Sequence, residues 1–365
     1  MPSHPFINER FLTMTKSKFL QVFVFILVFS LLPVLSACSL EKSMLERRQA
    51  QFIDVFDTAS VLIQYTETEE EFKETAEMIH DELETYHQLY DIYNNYPDLN
   101  NVKTINDQAG KNPVSVDQRI IDLLLFSKEA YHKTEGKVNV AFGSVLKLWH
   151  DYRELGEADP LQAKIPPMDQ LEAANDHCDI EDIVIDESAN TVFLKDPDML
   201  LDVGAIAKGY AVERITEYAR TIGFTDGLIS VGGNIRVLGY KGEDKELWSI
   251  GIQNPDRESE EKDLFVTHLT EESLVTSGDY IRYYTVDGKK YHHIIDPSTL
   301  LPATYFASVT IITPDSGMGD ALSTSLFNVS FEEGLAYVEA LDNTEAVWVY
   351  SDGTIKSSSG FEDLL

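Results

Sequence analysis

The segment "LDVGAIAKGYA" (residues 201–211) sets Asp202, Gly204, Lys208 and Gly209 at what reads as the start of a helix. Free backbone N–H groups at a helix N-terminus, with a lysine one turn in, make a general anion site. Gly204 and Gly209 have the separation of a P-loop, yet Tyr210 and Ala211 stand where that loop needs lysine and a hydroxyl, and the dinucleotide pattern G-x-G-x-x-G is missing. The alternative is Asp202 as a helix cap, with Lys208 simply solvated. A second stretch, "GDALSTS" (319–325), puts Asp320 and Thr324 four residues apart, hence on one helical face. A carboxylate and a hydroxyl are hard oxygen ligands of the kind Mg²⁺ takes alongside water and substrate phosphates. Asp320 as a plain helix-start residue is the alternative, and the pair gains force only with a phosphate ligand nearby.

In "YHHIIDPSTLLP" (291–302), a strand would point His292 and His293 to opposite faces. That disfavours a two-histidine metal site and leaves one imidazole as a candidate general base. Asp296-Pro297 ends the strand in a turn. Gly232 and Gly233 of "SVGGNIR" lie inside strand-like sequence, where glycine marks a bulge or the close approach of a ligand. "TSGDYIRYY" (276–284) supplies another glycine turn entering an aromatic strand.

The elements that must carry these residues follow from periodicity. "FIDVFDTASVLIQYTE" (52–67) has strand composition. From Glu69 to Tyr93, Phe72, Ala76, Ile79, Leu83, Tyr86 and Tyr90 recur at spacings of three and four, which predicts an amphipathic helix with an acidic outer face. A second helix runs from about Val116 to Thr134, with Ile120, Leu124 and Leu125 inward and Gly136 as its stop. "DIVIDESANTVFL" reads as a hairpin; strands follow at 227–240, 248–255 and through 264–312, then helices at about 317–328 and 331–341 and a last strand at "AVWVYS". Helices and strands interleave without a βαβ rhythm, so the expected class is α+β, with mixed, mainly antiparallel sheets and flanking helices.

The N-terminus stands apart. Arg10, Lys16 and Lys18 precede the apolar run "FLQVFVFILVFSLLPVLSA", which ends in "LSAC" at Cys38. The run is short and Pro-marked for a membrane span. Small residues before a cysteine are similar to a lipoprotein signal, with Cys38 lipidated as the new N-terminus; an ordinary cleaved signal is the alternative. The expected division is a signal at 1–37, a polar tether at 38–50 and one domain at 51–365, on the extracytoplasmic face of the cell membrane. Cys178 is the only other cysteine, so no disulfide closes within the processed chain. The formal charge is −33, and residues 1–37 carry three positive charges against one negative, leaving about −35 without them. Such a polyanion repels nucleic acid.

Taken in order, "VAFGSVLKLWH" (140–150), "LDVGAIAKGYA", "LISVGGNIR", "TSGDYIRYY", "HHIIDP" and "DALSTSLF" resemble the ApbE family of FAD:protein FMN transferases, from about Phe52 onward. The resemblance implies transfer of the FMN half of FAD to a threonine or serine of an acceptor protein, with Mg²⁺, leaving AMP. By motif match, Asp202 and Lys208 would contact FAD, and the carbonyl of Ala205 would join Asp320 and Thr324 on the metal. Phe56, where the family often has methionine, would lie against the flavin or its chain. Val140, Ala141 and Phe142 would line the pocket with Ile294, and His293 matches the family's best catalytic candidate. The implied partner is a flavoprotein of membrane or extracellular electron transfer bearing a motif like D-x-x-[ST]-G-A-T. The family's "DPRTG" is replaced here by Asp296-Pro297-Ser298-Thr299-Leu300, a departure beside the acceptor entrance. Two other readings remain open on sequence: a Mg²⁺-dependent FAD pyrophosphatase, and a lipoprotein that only binds flavin.

Overall fold

The computed structural model describes residues 45–365; the signal at 1–37, Cys38 and the start of the tether lie outside the described residues. In chain order the elements are β1 (Glu46–Phe52), β2 (Ser60–Thr66), α1 (Glu69–Tyr90), α2 (Val102–Asp107), β3 (Val114–Ser115), α3 (Gln118–Lys133), α4 (Gly143–Ala158), α5 (Met168–Asn175), β4 (Ile183–Asp186), β5 (Thr191–Leu194) and α6 (Ala207–Thr221). There follow β6 (Gly227–Val231), β7 (Asn234–Leu238), β8 (Trp248–Gln253), β9 (Asp263–Leu269), β10 (Ser273–Gly278), β11 (Tyr283–Val286), β12 (Lys289–His292), β13 (Ile295–Asp296), β14 (Leu301–Pro302), β15 (Ser308–Thr313), α7 (Ser316–Phe327), α8 (Phe331–Val338), β16 (Glu345–Val349) and β17 (Ile355–Ser357).

The frame is an eight-stranded sheet in the order β1-β2-β6-β7-β10-β15-β16-β17, with every pair antiparallel. Helices α1, α6 and α7 lie on one face, and the β8–β9 ribbon with Trp248, Ile250 and Phe361 covers apolar residues of the other. Central β15 is buried at every position, as a strand covered on both faces must be, whereas β8 alternates buried and exposed. The α+β class read from the sequence is the observed one.

Several boundaries differ. β1 begins at Glu46, inside the segment read as a tether, and pairs with β2 from Glu46↔Thr66 to Phe52↔Ser60. Its polar composition concealed it: this is an edge strand with most side chains exposed, so it needs no hydrophobic alternation. The strand expected over 52–67 is consequently the end of β1, a loop and β2. Glycines 232 and 233 form no bulge; they are the two-residue turn joining β6 to β7, with φ of 57° and 92°, and Gly232 also lines the cavity described below. A two-residue hairpin turn of that hand requires left-handed backbone, hence glycine. A further strand, β17, follows the one read as last.

The crossing of α6 and α7 is unusually close. A Cβ added at Gly209 would lie 2.2 Å from the Ser316 carbonyl oxygen and 2.5 Å from the Asp320 Cβ. The register is fixed one turn on by Glu213, whose Oε2 accepts the Ser316 N–H at 2.8 Å and lies 3.3 Å from Arg236 Nε of β7. Gly209→Ala is therefore expected to cost about 1–3 kcal/mol through forced separation of the helices, read as a lowered melting temperature; an unchanged melt would mean that the crossing yields without strain.

Candidate functional site

The turn before α6 is held at both ends. The Asp202 N–H donates to the Val140 carbonyl at 2.8 Å, and Asp202 Oδ1 accepts the Gly204 N–H at 2.9 Å. Asp202 thus closes the turn and does not cap the helix, whose N-cap position is Ile206, with no side-chain cap. The helix begins at Ala207, so Lys208 and Gly209 lie in its first turn. Across the crossing, Asp320 Oδ2 of α7 accepts the Gly209 N–H at 2.9 Å and stands 3.7 Å from Lys208 Nζ. Two segments 111 residues apart in the chain thereby share one carboxylate. Thr324, one turn along α7, has its Oγ1 3.4 Å from Ser277 Oγ of β10, which in turn meets Ser323 at 2.9 Å.

These groups open onto a cavity of about 400 Å³, within the range of small-ligand sites. Phe56, Phe142, Asp202, Ala205, Lys208, His293, Ile294, Asp320 and Thr324 all line it. Val140 and Ala141, expected on the wall, do not: they are 1% and 0% exposed and belong to the core beneath. The reason is local. The Asn139 side-chain oxygen accepts the Ala141 N–H, and the Phe142 N–H returns to the Asn139 carbonyl, so Asn139 and Phe142 reach the cavity while the two residues between them turn inward. Val140 serves through its carbonyl, the anchor for Asp202. His292 and His293 do part, although β12 ends at His292 and His293 lies beyond it: His292 is buried with Nε2 2.7 Å from the Ala303 oxygen, while His293 keeps part of its surface toward the cavity.

Electrostatics at the wall favour neutral His293. Burial, helped by the Arg282 guanidinium and then by His292 and Lys208, pushes its imidazole down to about 3. Its Nδ1 lies 3.3 Å from the Arg282 carbonyl, which can only accept, so the proton sits on Nδ1 and Nε2 carries the free lone pair. Asp202 moves the other way: burial raises its carboxyl above the ordinary range, against the Gly204 N–H and the positive charge of His150, Arg282 and Lys208.

Asp320 Oδ1 and Thr324 Oγ1 are hard oxygens on one helical face, with Ala205 lining the same cavity. Oδ2 is already held by the Gly209 N–H, which fixes the carboxylate's orientation. This donor set fits Mg²⁺ bound by few protein ligands.

Several wall residues escaped the sequence. Arg282 was quoted within "TSGDYIRYY" without a role. Lys137, whose Nζ meets Asp296 Oδ1 at 3.0 Å and Ser298 Oγ at 2.8 Å, had no signal. Nor did Arg153 and Tyr93, which bracket His150 at 2.8 Å from its Nδ1 and 5.5 Å between ring centroids. Helical spacing marks such residues only as an exposed face.

The sequence matches the model of the ApbE family over residues 57–348. It is 33% identical over 279 residues to a protein of Klebsiella pneumoniae named FAD:protein FMN transferase, covering 74% of this chain and 84% of that one. A Treponema pallidum protein of the same name is 34% identical over 272 residues, covering 71% and 73%. The crystal structure of the ApbE protein from Thermotoga maritima superposes with a TM-score of 0.76 at 26% identity, covering 87% of this chain and 99% of that one. The Flavin Transferase ApbE from Vibrio cholerae shares the fold at a TM-score of 0.71 and 23% identity, covering 88% and 100%.

Because His293 falls to about 3 in the fold, the unfolded chain binds its proton more readily between that value and the ordinary imidazole value of about 6.5. Stability is therefore lost through this residue as pH drops across that window and is intact above it. His293→Asn is expected to gain stability relative to the native chain on acidification from about pH 7 to about pH 5, measured by denaturant melts; parallel pH profiles would contradict it.

Proposed function

Since the chain belongs to the ApbE family, we propose that it transfers the FMN moiety of FAD to a threonine or serine hydroxyl of an extracytoplasmic flavoprotein, releasing AMP, with Mg²⁺ at Asp320 and Thr324. The activity is that of an FAD:protein FMN transferase. The observation that carries this reading is Asp320 Oδ2 on the Gly209 N–H: it sets the candidate metal ligands against the turn suited to the diphosphate. Bound Mg²⁺ would neutralise charge on that diphosphate.

The chain's own groups have distinct tasks. Lys208, in the first turn of α6, offsets phosphate charge, including the charge that grows on departing AMP. The acceptor oxygen attacks the FMN phosphorus, forming the phosphoester bond as the bond to the AMP phosphate breaks. The hydroxyl proton passes to Nε2 of His293, whose lone pair is free. At about 3 an imidazole is a weak base, but a bound diphosphate adds negative charge beside it and raises its affinity for the proton. Phe56 and Ile294 supply apolar wall for the flavin. Ser298, in place of the family's arginine, bonds Lys137 and shapes the acceptor entrance.

The sequence "LSAC" supports anchoring through Cys38, and the anchor restricts acceptors to the outer face of the membrane. Radiolabelled palmitate is expected in the native protein and absent from Cys38→Ala, which should leave the membrane fraction; a variant that stays labelled would refute the anchor.

A peptide carrying D-x-x-[ST]-G-A-T, incubated with the protein, FAD and Mg²⁺, is expected to gain the mass of FMN, with AMP released. Asp320→Ala should lower that transfer by about 100-fold or more while preserving the circular dichroism spectrum. FMN and AMP released with no labelled peptide would favour the pyrophosphatase instead.

A further inference from the structure

The loop between β1 and β2 brings Phe56 to the cavity in an uncommon way. Phe56 and Asp57 are consecutive non-glycine residues in the left-handed region, with φ of 54° and 51°. Side chains disfavour that backbone, so something must hold it. Two histidines of α1, seven residues and thus two turns apart on one face, do so. His80 Nε2 lies 3.1 Å from Asp54 Oδ2, and its ring lies 4.7 Å from that of Phe52. His87 Nδ1 accepts the Phe56 N–H at 3.1 Å, and its ring meets the Phe56 ring edge-on, centroids 5.7 Å apart.

His80 meets a carboxylate, whereas His87 meets a backbone donor. His87 can accept the Phe56 N–H only while Nδ1 is bare and the proton sits on Nε2. A second proton would set two N–H donors against each other and leave Phe56 without its anchor.

We propose that His87 is a positioning residue for FAD: its bare Nδ1 holds the Phe56 N–H, and with it the Phe56 ring on the flavin wall. The inference rests on the transferase reading, which assigns Phe56 to the flavin.

Asparagine places its side-chain oxygen where histidine has Nδ1 and accepts at every pH; leucine fills similar space and accepts nothing. Amide exchange of Phe56 in the protein without FAD reads the anchor directly. It should be slow in the native chain and His87→Asn at about pH 8 and fast in His87→Leu. FAD titrations by flavin fluorescence read the consequence. Leucine should raise the Kd about tenfold, with the transfer rate at saturating FAD within about twofold of native. Fast Phe56 exchange in His87→Leu with an unchanged Kd would reduce the contact to a loop tether and overturn the proposal. So would an asparagine variant that raises the Kd as leucine does. A native chain that binds no FAD sinks the transferase reading itself, an outcome separate from both.

Discussion

The close passage of α6 over the start of α7 governs the site. With no side chain at Gly209, the Ser316 carbonyl and the Asp320 Cβ occupy space that any other residue would fill. Asp320 then reaches the Gly209 N–H, a backbone donor that an α-helix leaves unsatisfied in its first turn. One hydrogen bond thus satisfies a helix terminus, orients a carboxylate and brings Thr324 to the same cavity. The sheet underneath makes this repeatable: α6 rests on β6 and β7, α7 on β10 and β15, and those strands are neighbours in the order β6-β7-β10-β15. The buried Glu213–Arg236 pair then ties α6 to β7 while supporting the α7 N-terminus.

The cavity differs in character from the body around it. The chain is strongly acidic overall, yet Lys137, Arg153, Lys208 and Arg282 all reach the cavity wall. Opposed charges there keep the ionisable groups from acting independently. The same Arg282 charge that adds to burial in keeping His293 unprotonated also favours the Asp202 carboxylate against its burial. A dianionic ligand entering such a wall alters every one of these balances together.

What the sequence made legible was whatever depends on near neighbours. The α1 stripe from Phe72 to Tyr90 repeats with helical period and is buried as read. The pairing of Asp320 with Thr324 follows from spacing alone. Proximity across the chain was carried by the motif series, not by any local pattern; nothing in residues 201–211 points toward residue 320. The failures are instructive in the same terms. Val140 and Ala141 are apolar residues beside a motif, and apolarity does not separate a cavity wall from the core behind it. Asp202 is a good cap by type, but closes a turn several residues before the helix. Polar β1 carried no strand signal because an edge strand buries little. His87 was hidden most completely: it sits within an ordinary amphipathic helix, and only the left-handed loop opposite gives it a task.

Cys178 has a quieter consequence. It is 8% exposed beneath α4 and α5, and burial pushes its thiol up to about 11, so almost none is present as the reactive thiolate. Among the described residues no crosslink holds the fold, and the lone sulfur is ill-suited to form one with a stranger. Among those residues the reducing or oxidising character of the surroundings therefore has no disulfide to make or break.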